Sequence, residues 1–345
     1  MTAVRVAILA SAASLLAGCA GPNPTQTYEY TRISMGVQAR VWIEASAGEE
    51  PRAREAAARA FARLAELEQS MSDYRDTSEI AQLARAAGGE AVPISADLAR
   101  VLGVALNVAR ASDGAFDPTV GPLSQLWRAA RRTGKAPSDD ELTDVRRLVG
   151  FAKLELTAGL RARLTVAGMS LDLGGIAKGD AAARARDLLA EAGFPVCMVA
   201  LAGDVALGAP PRGRSGWRVG LATERSGRVL RTLELAHTSV STSGDTEQTI
   251  ELEGRRFSHL IDPRTNARSL ALERTGVVSV IHPDGATADA LATAAAVLLS
   301  DPDGPERLRA LAQEFSGPSD QLGARPRARI EVLAMPENPA EAPRH

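Results

Sequence analysis

Apolar residues recur along this chain with two different periods. From Pro51 to Ser70, Ala, Leu and Phe return every three or four positions among Arg, Glu and Gln. That spacing predicts an amphipathic helix with Pro at its start. Ser95 to Ser112 predicts a second helix, with Ser95 as N-cap and Asp97 in the first turn. Asp139–Val149 and Ala177–Ala192 predict two more. An apolar helix, Ala288 to Leu299, follows the turn-like His282-Pro283-Asp284-Gly285. Alternating or continuous apolar runs predict strands at Tyr30–Ala45, Leu154–Leu156, Arg163–Val166, Ser170–Leu173, Val196–Ala202 and Trp217–Thr223. Others fall at Val229–Leu235, Gln248–Leu252, Gly276–Ile281 and Arg327–Leu333. Strands and helices mix without strict alternation, so the expected class is α+β, a mostly antiparallel sheet flanked by helices. Gly174-Gly175 lacks the G-x-G-x-x-G spacing of a dinucleotide-binding turn.

The two ends differ from this pattern. Arg5 precedes an apolar run, Val6 to Ala17, of signal-peptide length and too short to span a bilayer comfortably. The run ends in Leu16-Ala17-Gly18-Cys19, which looks like a bacterial lipoprotein processing site. Residues 1–18 then form a lipoprotein signal peptide, and Cys19 becomes the lipid-bearing first residue. The competing reading is an ordinary cleaved signal that happens to contain a Cys. Residues 19–30 are expected as a Pro/Thr/Asn-rich tether, 31–335 as one domain, and 336–345 as a disordered Pro/Glu/Ala tail.

Composition narrows the class further. The 345 residues are 45% hydrophobic and 24% charged, as in a globular protein with a large core. The formal net charge of -2 leaves no electrostatic footprint for nucleic acid. With Cys19 lipidated, Cys197 stands alone in an apolar run and is expected as a small core hydrophobe. Neither a disulfide framework nor zinc spacing is present.

Asp289 and Thr293 carry the first chemical signal. Four residues apart, they share one helical face. A carboxylate and a hydroxyl are hard oxygen ligands, suited to magnesium rather than zinc or copper. The bland alternative is an acid in the first turn of a helix, favoured by the dipole, and a Thr bonded back to the chain.

Three other stretches bear on that choice. They are Asp113-Gly-Ala-Phe-Asp-Pro-Thr-Val-Gly-Pro-Leu123 with Leu126-Trp127, then Leu171-Asp-Leu-Gly-Gly-Ile-Ala-Lys-Gly179, then Ser258-His-Leu-Ile-Asp-Pro263 shortly after Thr242-Ser-Gly-Asp245. In this order, with Ala288-Asp-Ala-Leu-Ala-Thr293 last, the chain resembles the ApbE family from about Met35 to about Leu299. Members are FAD:protein FMN transferases, usually lipoproteins of the bacterial envelope.

The resemblance implies an ApbE-like (T-fold-like) α+β architecture for residues 31–335. It also implies a magnesium-dependent transfer of FMN from FAD to a Thr or Ser hydroxyl of an acceptor protein, with AMP as leaving group. Such transfer is mainly positioning and charge neutralisation. The expected metal ligands are Asp289 and Thr293, joined by the carbonyls of Gly175 and Ala292. Positions expected to contact FAD are Met35, Tyr74, Ala115, Phe116, Asp117, Asp172, Lys178 and Leu260. Lone Met or Tyr residues are as often core, Lys178 could be a solvated charge, and Asp172 a turn ligand. His259 is either the general base for the incoming hydroxyl or a residue that orders the loop. Implied partners are FAD, an acceptor subunit of an envelope redox complex (RNF-type or sodium-pumping NADH:quinone reductase-like) and the membrane through the lipid at Cys19. The implied location is the cell envelope, facing the periplasm.

The chain departs from the family's usual pattern at several places. Asp180 and Ala183 stand where an aromatic and an Asp are common, Ala202 where Gly is, Thr246 where Tyr is, and Val37 where Thr is. None removes an expected metal ligand. FAD hydrolysis to FMN and AMP, or flavin binding without catalysis, are the alternatives.

Overall fold

The computed structural model describes residues 25–222, 229–244, 249–252, 255–258, 260–264, 277–315 and 329–334. The segments expected as signal peptide and tail, together with Cys19, Asp245, Thr246 and His259, lie outside them. Among the described residues, no helix is long and apolar enough to cross a membrane.

In chain order, β1 (Thr25–Ser34) and β2 (Val37–Ser46) lead into helices α1 (Glu50–Met71) and α2 (Glu79–Arg85). Then come β3 (Val92–Pro93), α3 (Ala96–Ala111), α4 (Gly121–Thr133), α5 (Asp139–Arg146), β4 (Leu154–Thr157) and β5 (Arg161–Leu164). Helix α6 (Ala177–Glu191) precedes β6 (Cys197–Leu201), β7 (Asp204–Leu207), β8 (Trp217–Ala222), β9 (Val229–Leu235) and β10 (Thr238–Ser243). The last elements are β11 (Thr249–Leu252), β12 (Arg255–Ser258), β13 (Val277–His282), α7 (Gly285–Leu298), α8 (Gly304–Glu314) and β14 (Arg329–Ala334).

One sheet organises the molecule, in the order β1-β2-β6-β7-β10-β13-β14, every neighbouring pair antiparallel. Alternate residues along a strand face opposite sides. Val41, Ile43, Cys197 and Val199 therefore enter the main core under α1, α6 and α7. Trp42, Met198 and Ala200 face the other way, against Trp217, Val219 and Leu221 of the β8–β9 hairpin. Both faces are covered, which explains why β6 reads as an unbroken apolar run. Helices α4 and α5 pack together on a satellite core of Leu123, Trp127, Ala130 and Leu142. The α+β class with a mostly antiparallel, helix-flanked sheet is observed.

Several local expectations hold for local reasons. Ser95 caps α3 by accepting the Leu98 N–H at 3.2 Å, and Pro51 sits in the first turn of α1. Cys197 is fully buried, and burial pushes its thiol up to about 12.

Other expectations are corrected. Tyr30–Ala45 is not one strand but the ends of two, joined at Met35-Gly36. Both turn residues have positive φ, 52° and 73°, and two such residues favour a tight hairpin turn. Strand β1 begins at Thr25, inside the segment expected as tether. Ser170–Leu173 forms no strand; Asp172 N donates to the Pro118 carbonyl at 2.9 Å, a single bridge rather than a ladder. Helix α7 starts at Gly285, three residues early, because Asp284 caps it by accepting the Thr287 N–H at 2.8 Å and its hydroxyl at 2.6 Å.

Candidate active site

Two helices bring the proposed metal ligands together. Helix α7 is built largely of Ala and is buried at every position except Thr293, which is half-buried. Small side chains let α6 approach closely, and glycines set the limit. A Cβ on Gly179 would lie 2.2 Å from the Gly285 carbonyl oxygen and 2.6 Å from the Asp289 Cβ. A Cβ on Gly175 would lie 2.6 Å from Thr293 Oγ1. The pairs Gly175–Thr293 and Gly179–Asp289 are each spaced by four residues, so the two segments run past each other in opposite directions.

This crossing aims main-chain groups at side chains. Thr293 donates its hydroxyl to the Gly175 carbonyl at 3.5 Å. Gly179 N–H donates to Asp289 Oδ2 at 3.0 Å. Asp289, now in the second turn of α7, is 5% exposed. Burial, with repulsion from Asp204, pushes its carboxyl up to about 7, against the pull of Lys178 and the Gly179 N–H. The reading of Asp289 as a first-turn dipole partner therefore fails; Asp284 takes the capping role.

Lys178 is no solvated charge. Its ammonium donates to the Gly174 carbonyl at 2.6 Å and lies 3.4 Å from Asp204 Oδ2 and 3.7 Å from Asp289 Oδ2. Burial alone would lower its pKa; the two carboxylates outweigh that and hold it above the usual lysine range. Asp204 is 3% exposed, and its Oδ1 has no hydrogen-bond partner among the described residues. A buried carboxylate oxygen without a donor is costly unless a cation or proton satisfies it. The hard oxygens of Asp289, Thr293 and the Gly175 carbonyl, beside that orphaned oxygen, are a donor set that fits a magnesium-sized cation. Ala292 is fully buried in α7, one residue ahead of Thr293. Among the described residues no three His, Cys, Asp or Glu side chains cluster as a metal group. A magnesium ion here would rest largely on hydroxyl and carbonyl oxygens.

The expected FAD-contacting positions fall into two groups. In the first, a set of loops is tied side by side. Met35 N–H donates to Glu68 Oε2 at 3.0 Å, and Glu68 also pairs with Arg75 at 3.2 Å, next to Tyr74. Tyr74 is 77% exposed, with the Arg128 guanidinium 4.4 Å from its ring centroid. Asp172 is a turn ligand and more: Oδ1 accepts the Gly174 N–H at 2.8 Å, and Oδ2 accepts from Arg128 at 3.1 Å.

The second group turns inward. Ala115 and Phe116 carry their side chains into the main core, and their N–H groups donate to Ser112. Any contact they make with a dinucleotide runs through the main chain. Asp117 accepts from Thr119 N–H at 2.8 Å, Thr119 Oγ1 at 2.6 Å and Phe151 N–H at 2.8 Å. Its carboxylate fastens this loop to Gly150-Phe151. Leu260 is buried, its N–H held by Ser258 Oγ at 3.1 Å. His259, between those two anchors, lies outside the described residues.

Sequence reasoning missed three participants: Asp204, Arg128 and Asp73. A signal for Asp204 existed. A carboxylate set between the apolar runs Cys197–Ala202 and Val205–Leu207 is rarely buried without a task. Arg128, on an amphipathic helix, gave no such signal.

The family model described as ApbE family matches residues 34–317. A protein of Treponema pallidum named FAD:protein FMN transferase is 31% identical, over 96% of this chain and 93% of its own. The crystal structure of an ApbE protein from Thermotoga maritima superposes with a TM-score of 0.74 at 26% identity, covering 90% of this chain and 94% of the other. That of the flavinyl transferase ApbE of Pseudomonas stutzeri, apo form, gives 0.69 at 28% identity, covering 84% and 89%.

Proposed function

The chain belongs to the ApbE family and is a flavin transferase; from that premise we propose that it moves FMN from FAD to a Thr or Ser hydroxyl of an acceptor protein, with magnesium, releasing AMP. The observation that carries the magnesium requirement is Thr293. It is the one half-buried residue of an otherwise buried helix, its hydroxyl lies on the Gly175 carbonyl, and it shares a face with Asp289. A flavin-binding module without catalysis has no need of such a donor set.

In the transfer, an acceptor oxygen attacks the phosphorus on the flavin side of the diphosphate. A new phosphorus–oxygen bond forms, the bridging bond breaks towards AMP, and the acceptor hydroxyl loses its proton. Asp289, Thr293 and the Gly175 carbonyl would hold the cation. Magnesium, when bound, neutralises charge on the diphosphate oxygens. Lys178, held by Asp204 and Asp289, adds a positive charge beside them. The glycines at 174 and 175 leave main chain where side chains would crowd a phosphate. His259 is proposed for the acceptor's proton on its sequence position alone.

The proposed setting is the cell envelope, with Cys19 diacylated and the domain facing the periplasm. The proposed acceptors are subunits of membrane redox complexes of the RNF or sodium-pumping NADH:quinone reductase kind. The test is direct. Purified protein, FAD, magnesium and such an acceptor domain should yield a flavin-labelled acceptor and one AMP per label. A cognate acceptor that stays unlabelled counts against transfer, and FMN release at comparable rate without any acceptor favours hydrolysis.

A further inference from the structure

Arg128 sits where three separate segments meet. It comes from the middle of α4, yet its guanidinium reaches residues that flank α1 and precede α6. Nη1 pairs with Asp73 Oδ2, and Nη2 donates to Asp172 Oδ2 at 3.1 Å. The guanidinium carbon of the same group lies over the Tyr74 ring, 4.4 Å from its centroid. One side chain thus holds an exposed aromatic residue, its neighbouring carboxylate and the loop that ends in Gly174-Gly175.

Neither Tyr74 nor Asp172 is fixed to the other by its own means. Tyr74 is 77% exposed on the short loop between α1 and α2; among the described residues its hydrogen bond is that of its main-chain N–H to Ser72 Oγ at 3.2 Å. An exposed ring on a loop samples many orientations, and ordering it on binding costs side-chain entropy. A guanidinium stacked on one face and anchored by two carboxylates removes much of that cost beforehand. Asp172 spends its other oxygen on the Gly174 N–H at 2.8 Å. Rigidity therefore passes from the Tyr74 ring through Arg128 and Asp172 to Gly174-Gly175, whose carbonyl meets Thr293.

Resting on the function proposed above, we infer that Arg128 is a positioning residue for the dinucleotide: it seats one face of Tyr74 so that the exposed face receives a flat ring of FAD, and it sets that platform at a fixed distance from the diphosphate end of the site. Lys at 128 keeps the charge but loses the planar fork that stacks and bridges two carboxylates at once. Met keeps length and loses both.

FAD affinity, read by quenching of flavin fluorescence in the full-length protein with magnesium, tests this. Arg128→Met should weaken FAD binding by about tenfold, the scale of a lost stacked ion pair, and Arg128→Lys by an intermediate factor. Turnover at saturating FAD should fall less than about threefold, so the loss appears in KM rather than kcat. In a Tyr74→Ala background the Arg128→Met change should lose most of its effect, because the two residues act as one. Thermal unfolding of each variant identifies any protein that has lost its fold; Tyr74→Ala, at an exposed site, supplies the second arm. An unaltered FAD affinity in Arg128→Met, an equal loss in the Tyr74→Ala background, or a loss confined to kcat would each overturn the inference. If the unsubstituted protein itself fails to bind FAD, the transferase reading falls and this one with it; tight binding that Arg128→Met retains removes this one alone.

Discussion

The main-chain N–H of Gly179 points at Asp289 Oδ2 from 3.0 Å, across a helix crossing that leaves no room for a methyl group at 179. The bond exists because the crossing is tight, and the crossing is tight because glycine and alanine line it.

Gly179→Ala should therefore harm stability and metal binding together. The added Cβ meets the Gly285 carbonyl oxygen at 2.2 Å and the Asp289 Cβ at 2.6 Å, a main-chain atom and the root of a buried side chain, neither of which can swing aside. Overpacking of this kind costs about 1–3 kcal/mol. Urea unfolding and magnesium titration calorimetry would measure the two effects, and a variant normal in both would refute the packing account.

Asp289→Asn separates the metal from the fold. The amide keeps the shape and still accepts from Gly179, so metal-free stability should change by less than about 1 kcal/mol, as for near-isosteric changes. Stabilisation by magnesium should vanish, and turnover should drop by at least about a hundredfold, the scale of losing a main charge stabiliser. Retained turnover would mean that the metal is held elsewhere.

The Asp289 carboxyl titrates at an ordinary 3.8 in the unfolded chain and at about 7 in the fold, raised by burial and then by Asp204. Between those values the folded protein holds a proton that the unfolded chain has released. This group thus makes the metal-free protein lose stability as pH rises from about 4 to about 7. A cation must displace that proton, so magnesium binding should strengthen over the same window and level off above about 7. Asp204→Asn removes one repulsion and should move the midpoint down. Thermal shift against pH, with and without magnesium, reads both; a pH-independent magnesium effect would refute the assignment.

Lys178→Met leaves Asp204 and Asp289 facing each other without their shared ammonium. Because Lys178 is partly exposed, the loss should be about 1–3 kcal/mol rather than the full cost of a broken buried pair. Magnesium should recover more stability in this variant than in the unsubstituted protein. Equal recovery in both would show that the lysine and the metal do not share the carboxylates.

Asp117 offers a contrast. With its oxygens bonded to Thr119 and Phe151, Asp117→Ala should cost about 1–3 kcal/mol by leaving donors unpaired. Its FAD affinity should weaken only as far as the loop loosens, which hydrogen exchange at Thr119 and Phe151 would report. Lost FAD binding with unchanged exchange would make Asp117 a direct ligand instead.

Much of this was legible in the chain because it is local. Ser95 and Pro51 mark helix starts through their own backbone preferences, and the four-residue spacing of Asp289 and Thr293 places both on one face whatever surrounds them. The order of short motifs, none specific alone, pointed to the family and thereby to Gly175 and Lys178. Tyr30–Ala45 reads as one strand because a two-residue turn at Met35-Gly36 interrupts neither apolar content nor alternation.

The amino-acid pattern alone decided the elements with a strong period, the α+β class and the face shared by Asp289 and Thr293, since these follow from neighbours within a turn or two. Tertiary structure decided the rest. No element is expected over Thr238–Ser243 from the sequence, yet it is the strand between β7 and β13, its small hydroxyl side chains allowing α7 to lie close upon it. Ser170–Leu173 reads as a strand and is none, because among the described residues no partner strand runs beside it. Asp204 reaches Lys178 and Asp289, and Arg128 reaches Asp73, Tyr74 and Asp172, only after the chain has closed on itself. Hydrogen bonds across a sheet and contacts across a helix crossing depend on which distant segment arrives, and no local period encodes that.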